Sequence, residues 1–285
     1  MSKRKIVVGV DASPSSVHAL RWACQHHRDG DEIVAVLAWD YPTLSLIPPP
    51  PGTASRPGGS LSDVANETLR RAVASATANY NVLITKVAIQ GSAAHSVLET
   101  AEDADLIVLG TRGAGITKVL LGSVSRRVLH QAKIPVVIVP DGAPLDYHAK
   151  IAVAVDGSDH SLAALRWARG LDVEQIDVVH TWHPMRSYSP YMAPVNDPDL
   201  VVTANETIDR VITDALEGQT DERLHTSVIG GDARTVLTDP DFAPGLLVMG
   251  SRGFTGLVGA IIGSVTDFVV AHSAVAVAVI PGSDS

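Results

Sequence analysis

The 285-residue chain carries a single cysteine, Cys24. One thiol excludes an intrachain disulfide and a metal cluster built from cysteines. Basic residues are also scarce, with 22 Lys and Arg against 31 Asp and Glu and a formal net charge of −9. That balance excludes the broad basic footprint of a nucleic-acid binder. It leaves room for a local phosphate site, which needs only a few donors. Long apolar runs are missing as well. None approaches the roughly 18 residues of a membrane span. The apolar stretch after the basic start, Met1 to Lys5, is broken at Asp11 and is too short for a secretory h-region. These absences predict a reduced, soluble, cytoplasmic protein with no nucleic-acid partner.

Several catalytic signatures are absent too. There is no G-x-x-x-x-G-K-[ST], hence no lysine of that type to grip a γ-phosphate. No G-x-G-x-x-G follows the first strand candidate, which argues against a dinucleotide site of the usual kind. Neither G-x-S-x-G nor H-E-x-x-H occurs. His180-Thr-Trp-His183 places two histidines at a strand end without an evident third ligand, so no metal site is expected. Trp22, Trp167 and Cys24 fall on helix candidates as core or near-core residues, whereas His26 and His27 are expected at an exposed helix end.

What the chain does have is a copy of itself. Lys5-Ile-Val-Val-Gly-Val-Asp11 returns as Lys150-Ile-Ala-Val-Ala-Val-Asp156, and Ser16-Val-His-Ala-Leu-Arg-Trp-Ala23 as Ser161-Leu-Ala-Ala-Leu-Arg-Trp-Ala168, both offset by 145. Leu109-Gly-Thr-Arg-Gly113 returns as Met249-Gly-Ser-Arg-Gly253, and Gly122-Ser-Val-Ser125 as Gly263-Ser-Val-Thr266, offset by 140 and 141. A period this long is a whole domain. The order predicts two domains, 1–143 and 148–285, with a Gly/Pro-containing seam between Asp141 and His148.

Within the first copy, short apolar runs at 5–10, 32–39, 82–90, 105–110 and 134–139 alternate with helical patterns at 14–28, 62–80, 94–103 and 123–133. Such alternation means βαβ units and a parallel sheet. Ser13 and Pro14 mark the first helix start. The fold class is α/β, as two tandem doubly wound five-stranded parallel sheets in strand order 3-2-1-4-5. The topological switch then falls between strands one and four, where such sheets bind ligands. Asp11 and Gly110 are expected to flank one crevice, and Asp156 and Gly250 the other. The third strand is mixed, which suits an edge. The fifth strands, Pro135 to Pro140 and Ala274 to Ile280, are apolar yet would also be edges. Bare apolar edges invite pairing, so the two fifth strands are predicted to join each other in an intrachain pseudo-dimer. Thr238-Asp-Pro-Asp-Phe-Ala-Pro244 should shorten the third helix of the second copy.

The chemistry concentrates after strand four. Gly250-Ser-Arg-Gly253 is followed, after nine intervening residues, by Gly263-Ser264, which opens a helix. Glycines permit positive φ and close backbone approach, and a helix N-terminus suits a phosphate. Hydroxyls of Ser264 and Thr266 would add donors. A tight loop and helix cap would use the same residues. In the first copy eight residues, not nine, separate Gly113 from Gly122, so its donors are expected to be displaced. Arg112 and Arg252 stand beside the loops as phosphate contacts or as solvated surface residues. The Pro/Gly/Ser-rich stretch Tyr41 to Ser62 and its counterpart His183 to Asp199 are either lids over the crevices or plain surface loops.

Gly-x2-Gly-x9-Gly-Ser after strand four, with Asp ending strand one, resembles the ATP-binding pattern of the universal stress protein family. Leu120-Leu-Gly-Ser-Val-Ser125 and Ile134-Pro-Val-Val-Ile-Val139 are similar to that family too. The resemblance covers nearly the whole chain twice, as in tandem actinobacterial members. It implies a HUP-like, adenine nucleotide alpha hydrolase-like fold and ATP as ligand, with Mg2+ as an optional companion. It implies that Val155 and Asp156 meet the adenine and ribose, and that Thr181 offers backbone to adenine. Gly250 and Gly253 would line ribose and phosphates, while Gly263, Ser264, Val265 and Thr266 would hold the phosphates. The first-half equivalents are Val10, Asp11, Ala38, Gly110, Gly113, Gly122, Ser123, Val124 and Ser125. Either Asp is alternatively a turn-forming cap before its helix.

Three functions remain open. The first is an ATP-binding regulator in stress adaptation, working through an unidentified protein partner and with a homodimer as an option. The second is a slow ATPase or nucleotidyl-transferring enzyme, for which Asp267 is the nearby carboxylate. The third is a nucleotide-free interaction module.

Overall fold

The structure is a computed structural model, and it describes residues 3–40, 60–111, 121–182, 198–253 and 262–282. The stretches 41–59 and 183–197, which hold most of the expected lids, lie outside the described residues. So do Arg112 and Gly113.

The first half runs β1 (Lys5–Gly9), α1 (Pro14–Gln25), β2 (Glu32–Trp39), α2 (Leu61–Thr77), β3 (Ile84–Gln90), α3 (Ala93–Thr100), β4 (Leu106–Gly110), α4 (Ser123–Gln131) and β5 (Val136–Val139). The second half repeats it: β6 (Lys150–Ala154), α5 (Asp159–Arg169), β7 (Gln175–Trp182), α6 (Pro198–Leu216), β8 (Leu224–Gly230), α7 (Ala233–Leu237), β9 (Leu246–Gly250), α8 (Ser264–His272) and β10 (Ala276–Ile280).

Local chemistry accounts for the helix starts. The Ser13 hydroxyl accepts the Ser16 N–H at 3.2 Å, and Pro14 occupies the first turn, where its missing N–H costs nothing. Ser158 caps α5 through the Ser161 N–H in the same way. Ser60 and Asp63 form a reciprocal capping box on α2. As the prolines predict, α7 is only five residues long, against eight in α3.

The ten strands form one sheet in the order β3-β2-β1-β4-β5-β10-β9-β6-β7-β8. Each half keeps the 3-2-1-4-5 order and is parallel throughout. The halves meet where β5 and β10 pair antiparallel, with Ile138 opposite Val277 and Val137 opposite Ala278. Pairing removes both bare apolar edges, and all four of these residues are fully buried. The outer edges, β3 and β8, are mixed instead, with Thr85 and Lys86 exposed. Helices cover both faces, as expected for parallel sheets. One core packs α1, α2, α5 and α6 against the sheet, and α3, α4, α7 and α8 cover the other face.

The seam between the halves is packed, not a solvated linker. Ala143 and Tyr147 are buried. Two histidines of the first half hold it: His18 Nε2 lies 2.8 Å from the Ala143 carbonyl, and His26 Nε2 lies 2.6 Å from that of Leu145. The His26 ring stacks on Tyr147 with centroids 3.8 Å apart and tilts against Trp22. His26 is therefore buried, contrary to its expected place at an exposed helix end. The helix end is covered by a seam that returns from more than a hundred residues away.

Candidate functional site

Both switch points hold a crevice at the carboxyl ends of the strands. In the second half it is a cavity of about 440 Å³. Val155 and Asp156 enter it from the end of β6, and Thr181 from β7. Gly250 and Gly253 enter from the end of β9. Gly263, Ser264, Val265 and Thr266 close it with the start of α8. In the first half, Val10, Asp11, Ala38 and Gly110 surround a smaller cavity of about 140 Å³, with Gly122, Ser123, Val124 and Ser125 at its helix end. Every described residue expected at a site thus lines its crevice.

The glycines work by close approach, not by unusual dihedrals. None of Gly110, Gly250, Gly253 and Gly263 adopts positive φ, which corrects one half of the sequence expectation. A side-chain carbon on Gly250 would lie 2.7 Å from the His160 carbonyl carbon, and one on Gly110 would lie 2.8 Å from that of Ser15. The first turns of α5 and α1 thereby sit directly on the ends of β9 and β4. Gly253 has its own reason: a side-chain carbon there would lie 2.5 Å from Asp156 Oδ2. Among the described residues, Gly263 meets nothing closer than 3.5 Å.

The loop after strand four closes alike in both halves. Gly263 N–H donates to the Ser251 carbonyl at 2.8 Å, and Gly122 N–H donates to that of Thr111 at 2.7 Å. The Gly122 closure thus matches that of Gly263 although the first loop, outside the described residues, is one residue shorter. Behind each closure, a hydroxyl ties the helix to the strand. Thr266 Oγ1 donates to the Gly250 carbonyl at 3.0 Å, and Ser125 Oγ donates to the Gly110 carbonyl at 2.8 Å. Both side chains are buried. They hold the cradle in place and do not add phosphate donors, a second correction. The donors on offer are the backbone N–H groups of the first turns. No side chain caps α4 or α8, whose N-caps are Gly122 and Gly263.

Asp156 also makes the turn into α5. Its Oδ1 accepts the Ser158 hydroxyl at 2.6 Å and the Ser158 N–H at 3.0 Å. Its Oδ2 faces Gly253. The carboxylate is thus both a turn former and a crevice wall. His180 Nδ1–H donates to the Val155 carbonyl, 2.8 Å away. Among the described residues there is no group of three His, Cys, Asp or Glu side chains placed to hold a metal.

Cations of both halves reach the second crevice. Arg252 lines the second cavity, and so do Arg126 and His130 from α4 of the first half. Arg126 Nη2 lies 3.5 Å from Asp267 Oδ1 in the first turn of α8. Arg234 Nη2 donates to Ser264 Oγ at 3.1 Å. The described residues lining the first cavity include no Lys or Arg, while Arg112, the counterpart of Arg252, lies outside the described residues. Sequence reasoning missed Arg126, because its place depends on the β5–β10 junction. Once the fifth strands are paired, the helices that precede them become neighbours.

This fold and these crevices define a tandem doubly wound α/β protein whose open helix N-termini face the switch points. Comparison with known proteins makes the assignment more specific. The model of the universal stress protein family matches residues 3–140 and again 148–281. Universal stress protein Rv2623 of Mycobacterium tuberculosis is 30% identical over 288 residues, covering 93% of this chain and 92% of the relative. A universal stress protein of Mycolicibacterium smegmatis is 27% identical over 291 residues, covering 96% of each. The crystal structure of a universal stress protein from Archaeoglobus fulgidus shares the fold with a TM-score of 0.63 at 22% identity, covering 99% of this chain and 98% of that one. The chain belongs to the universal stress protein family. No helix among the described residues is long and apolar enough to cross a membrane.

Proposed function

We propose that this protein is an adenine-nucleotide-binding regulator that takes ATP in its second half, at residues Val155, Asp156, Thr181, Gly250, Gly253, Gly263, Ser264, Val265 and Thr266. One observation carries the reading. The 440 Å³ cavity at the β6/β9 switch point is lined both by the first turn of α8, which no side chain caps, and by the Asp156 carboxylate. A carboxylate suits ribose hydroxyls, and an uncapped helix start suits phosphate. The size lies within the range of small-molecule pockets, roughly 300–1,000 Å³. The first cavity, at 140 Å³, lies below that range and has no Lys or Arg among its described lining residues. It is the weaker site, although its backbone closure is the same.

The domains 1–143 and 148–285 act as one body through their shared sheet. Nucleotide occupancy in the second half tunes contacts with a partner during stress adaptation in the cytoplasm, in keeping with the family. The test is direct. Purified protein is denatured and its released nucleotide is quantified, for wild type, Gly253→Ala and Asp11→Ala. The expected result is a single ATP equivalent per chain, lost in Gly253→Ala and kept in Asp11→Ala. ADP in place of ATP would favour the slow hydrolase. No nucleotide, even after soaking in excess ATP, would leave the interaction module.

A further inference from the structure

Arg126 and His130 belong to the first half, yet they line the cavity of the second. The antiparallel β5–β10 pairing brings α4 to α8, and the Arg126–Asp267 ion pair bridges them. In the repeat, Arg126 and Asp267 are equivalent positions, 141 residues apart. The pair therefore lies across the junction between copies, with the arginine on only one side. This asymmetry gives the second cavity a cation from outside its own domain.

The two side chains are 47% and 40% exposed. A pair that exposed is worth at most about 1 kcal/mol, so the guanidinium is readily surrendered to a better acceptor. A phosphate at the open start of α8 is such an acceptor, because Arg meets phosphate through charge-assisted, often bidentate hydrogen bonds. The positive character also continues outward. His130 and Arg252 are shared with an adjoining cleft of about 280 Å³, whose described lining adds Lys133 and His160 and includes no Asp or Glu. Arg252 and Lys133 thus extend the cations of the second cavity into the junction between the halves.

We propose that Arg126, with His130 beside it, is a specificity-determining residue for the phosphate tail of the nucleotide in the second cavity. The first half thereby reads how many phosphates the second half holds. The proposal rests on the second cavity being a nucleotide site. A ligand with a long tail draws Arg126 from Asp267, while a nucleoside monophosphate leaves the ion pair in place.

The experiment is calorimetric titration of nucleotide-stripped wild type, Arg126→Gln and Arg127→Gln with ATP and with AMP. Arg127 is exposed on the same helix and does not line the cavity, so its variant matches the charge change alone. Wild type is expected to prefer ATP. Arg126→Gln is expected to lose about tenfold in ATP affinity, the worth of one charge-assisted hydrogen bond, with AMP affinity unchanged. Arg127→Gln is expected to match wild type. Three outcomes overturn the proposal: Arg126→Gln binding ATP like wild type, Arg126→Gln weakening ATP and AMP alike, or Arg127→Gln weakening ATP equally. If wild type binds neither nucleotide, the reading of the cavity itself fails, which is visible before any variant is compared.

Discussion

Gly253 stands so close to Asp156 that a side-chain carbon on the glycine would lie 2.5 Å from the carboxylate Oδ2. Asp156 is exposed and its carboxylate can swing away. Gly253→Ala is therefore expected to fold with a stability change within about 0.5 kcal/mol, the usual range of surface substitutions. Its effect falls on the crevice, because the carboxylate must leave its place. Gly250→Ala is the contrasting case. There the new carbon meets the His160 backbone at 2.7 Å, which no rotamer change relieves. Overpacking of that kind costs about 1–3 kcal/mol. Urea unfolding of the two variants separates the roles. Equal destabilisation by both would show that Gly253 supports the fold and not the site.

Ala12 and Gly157 occupy the same position in the two copies, and both adopt positive φ, at 63° and 88°. A left-handed alanine costs roughly 1–2 kcal/mol, against a loss of roughly 0.5–1 kcal/mol for the freer unfolded chain of a glycine. Ala12→Gly is expected to stabilise the protein by about 0.5 kcal/mol. Gly157→Ala is expected to destabilise it by about 1 kcal/mol or more, since its new carbon also meets Thr207 and Arg210 at 3.1 Å. Opposite shifts in the urea midpoint would bear this out. A destabilised Ala12→Gly would refute the strain argument.

Cys24 is a packing residue. It is 1% exposed on α1, and burial pushes its thiol up to about 11. Reactivity needs both thiolate and access, and this site offers neither. Native protein is expected to resist iodoacetamide near neutral pH, with full alkylation after denaturation. Rapid labelling of the native state, read by mass spectrometry, would contradict the packing.

Local signals located the elements well. The β2 range agrees at both ends, Glu32 and Trp39, because an unbroken apolar run between turn residues leaves little choice. Helices end earlier than periodicity alone indicates. α1 stops at Gln25, where His26 turns inward to the seam. The β5–β10 junction was readable too, since two bare apolar edges in one chain have few other partners. What periodicity does not carry is the use of a polar atom. Thr266 has a hydroxyl at a helix start, and only the fold shows it spent on the Gly250 carbonyl. Arg126 was missed and His26 misplaced for one shared reason. Their neighbours come from the other copy or from the seam, so no local pattern marks them.

His26 makes the junction sensitive to acid. Burial drives its pKa down from 6.5 to about 4, outweighing the hydrogen bond to the Leu145 carbonyl, which acts the other way. Nearby His148 and Arg4 also lower it, while Asp146 opposes them. The folded state therefore holds His26 neutral, and the unfolded chain binds the extra proton first as pH falls. The stability is fully present above the unfolded value of about 6.5 and is lost as pH drops toward about 4. A shift of that size corresponds to about 3 kcal/mol. The loss is expected to centre on the seam, because the imidazole stacks on Tyr147 and holds the Leu145 carbonyl. Urea unfolding of wild type between pH 7 and 4 should show a fall that His26→Gln lacks over the same window. His26→Gln is expected to be less stable than wild type at pH 7, where the stacked ring is gone. An identical pH slope in wild type and variant would assign the acid sensitivity to groups other than this buried imidazole.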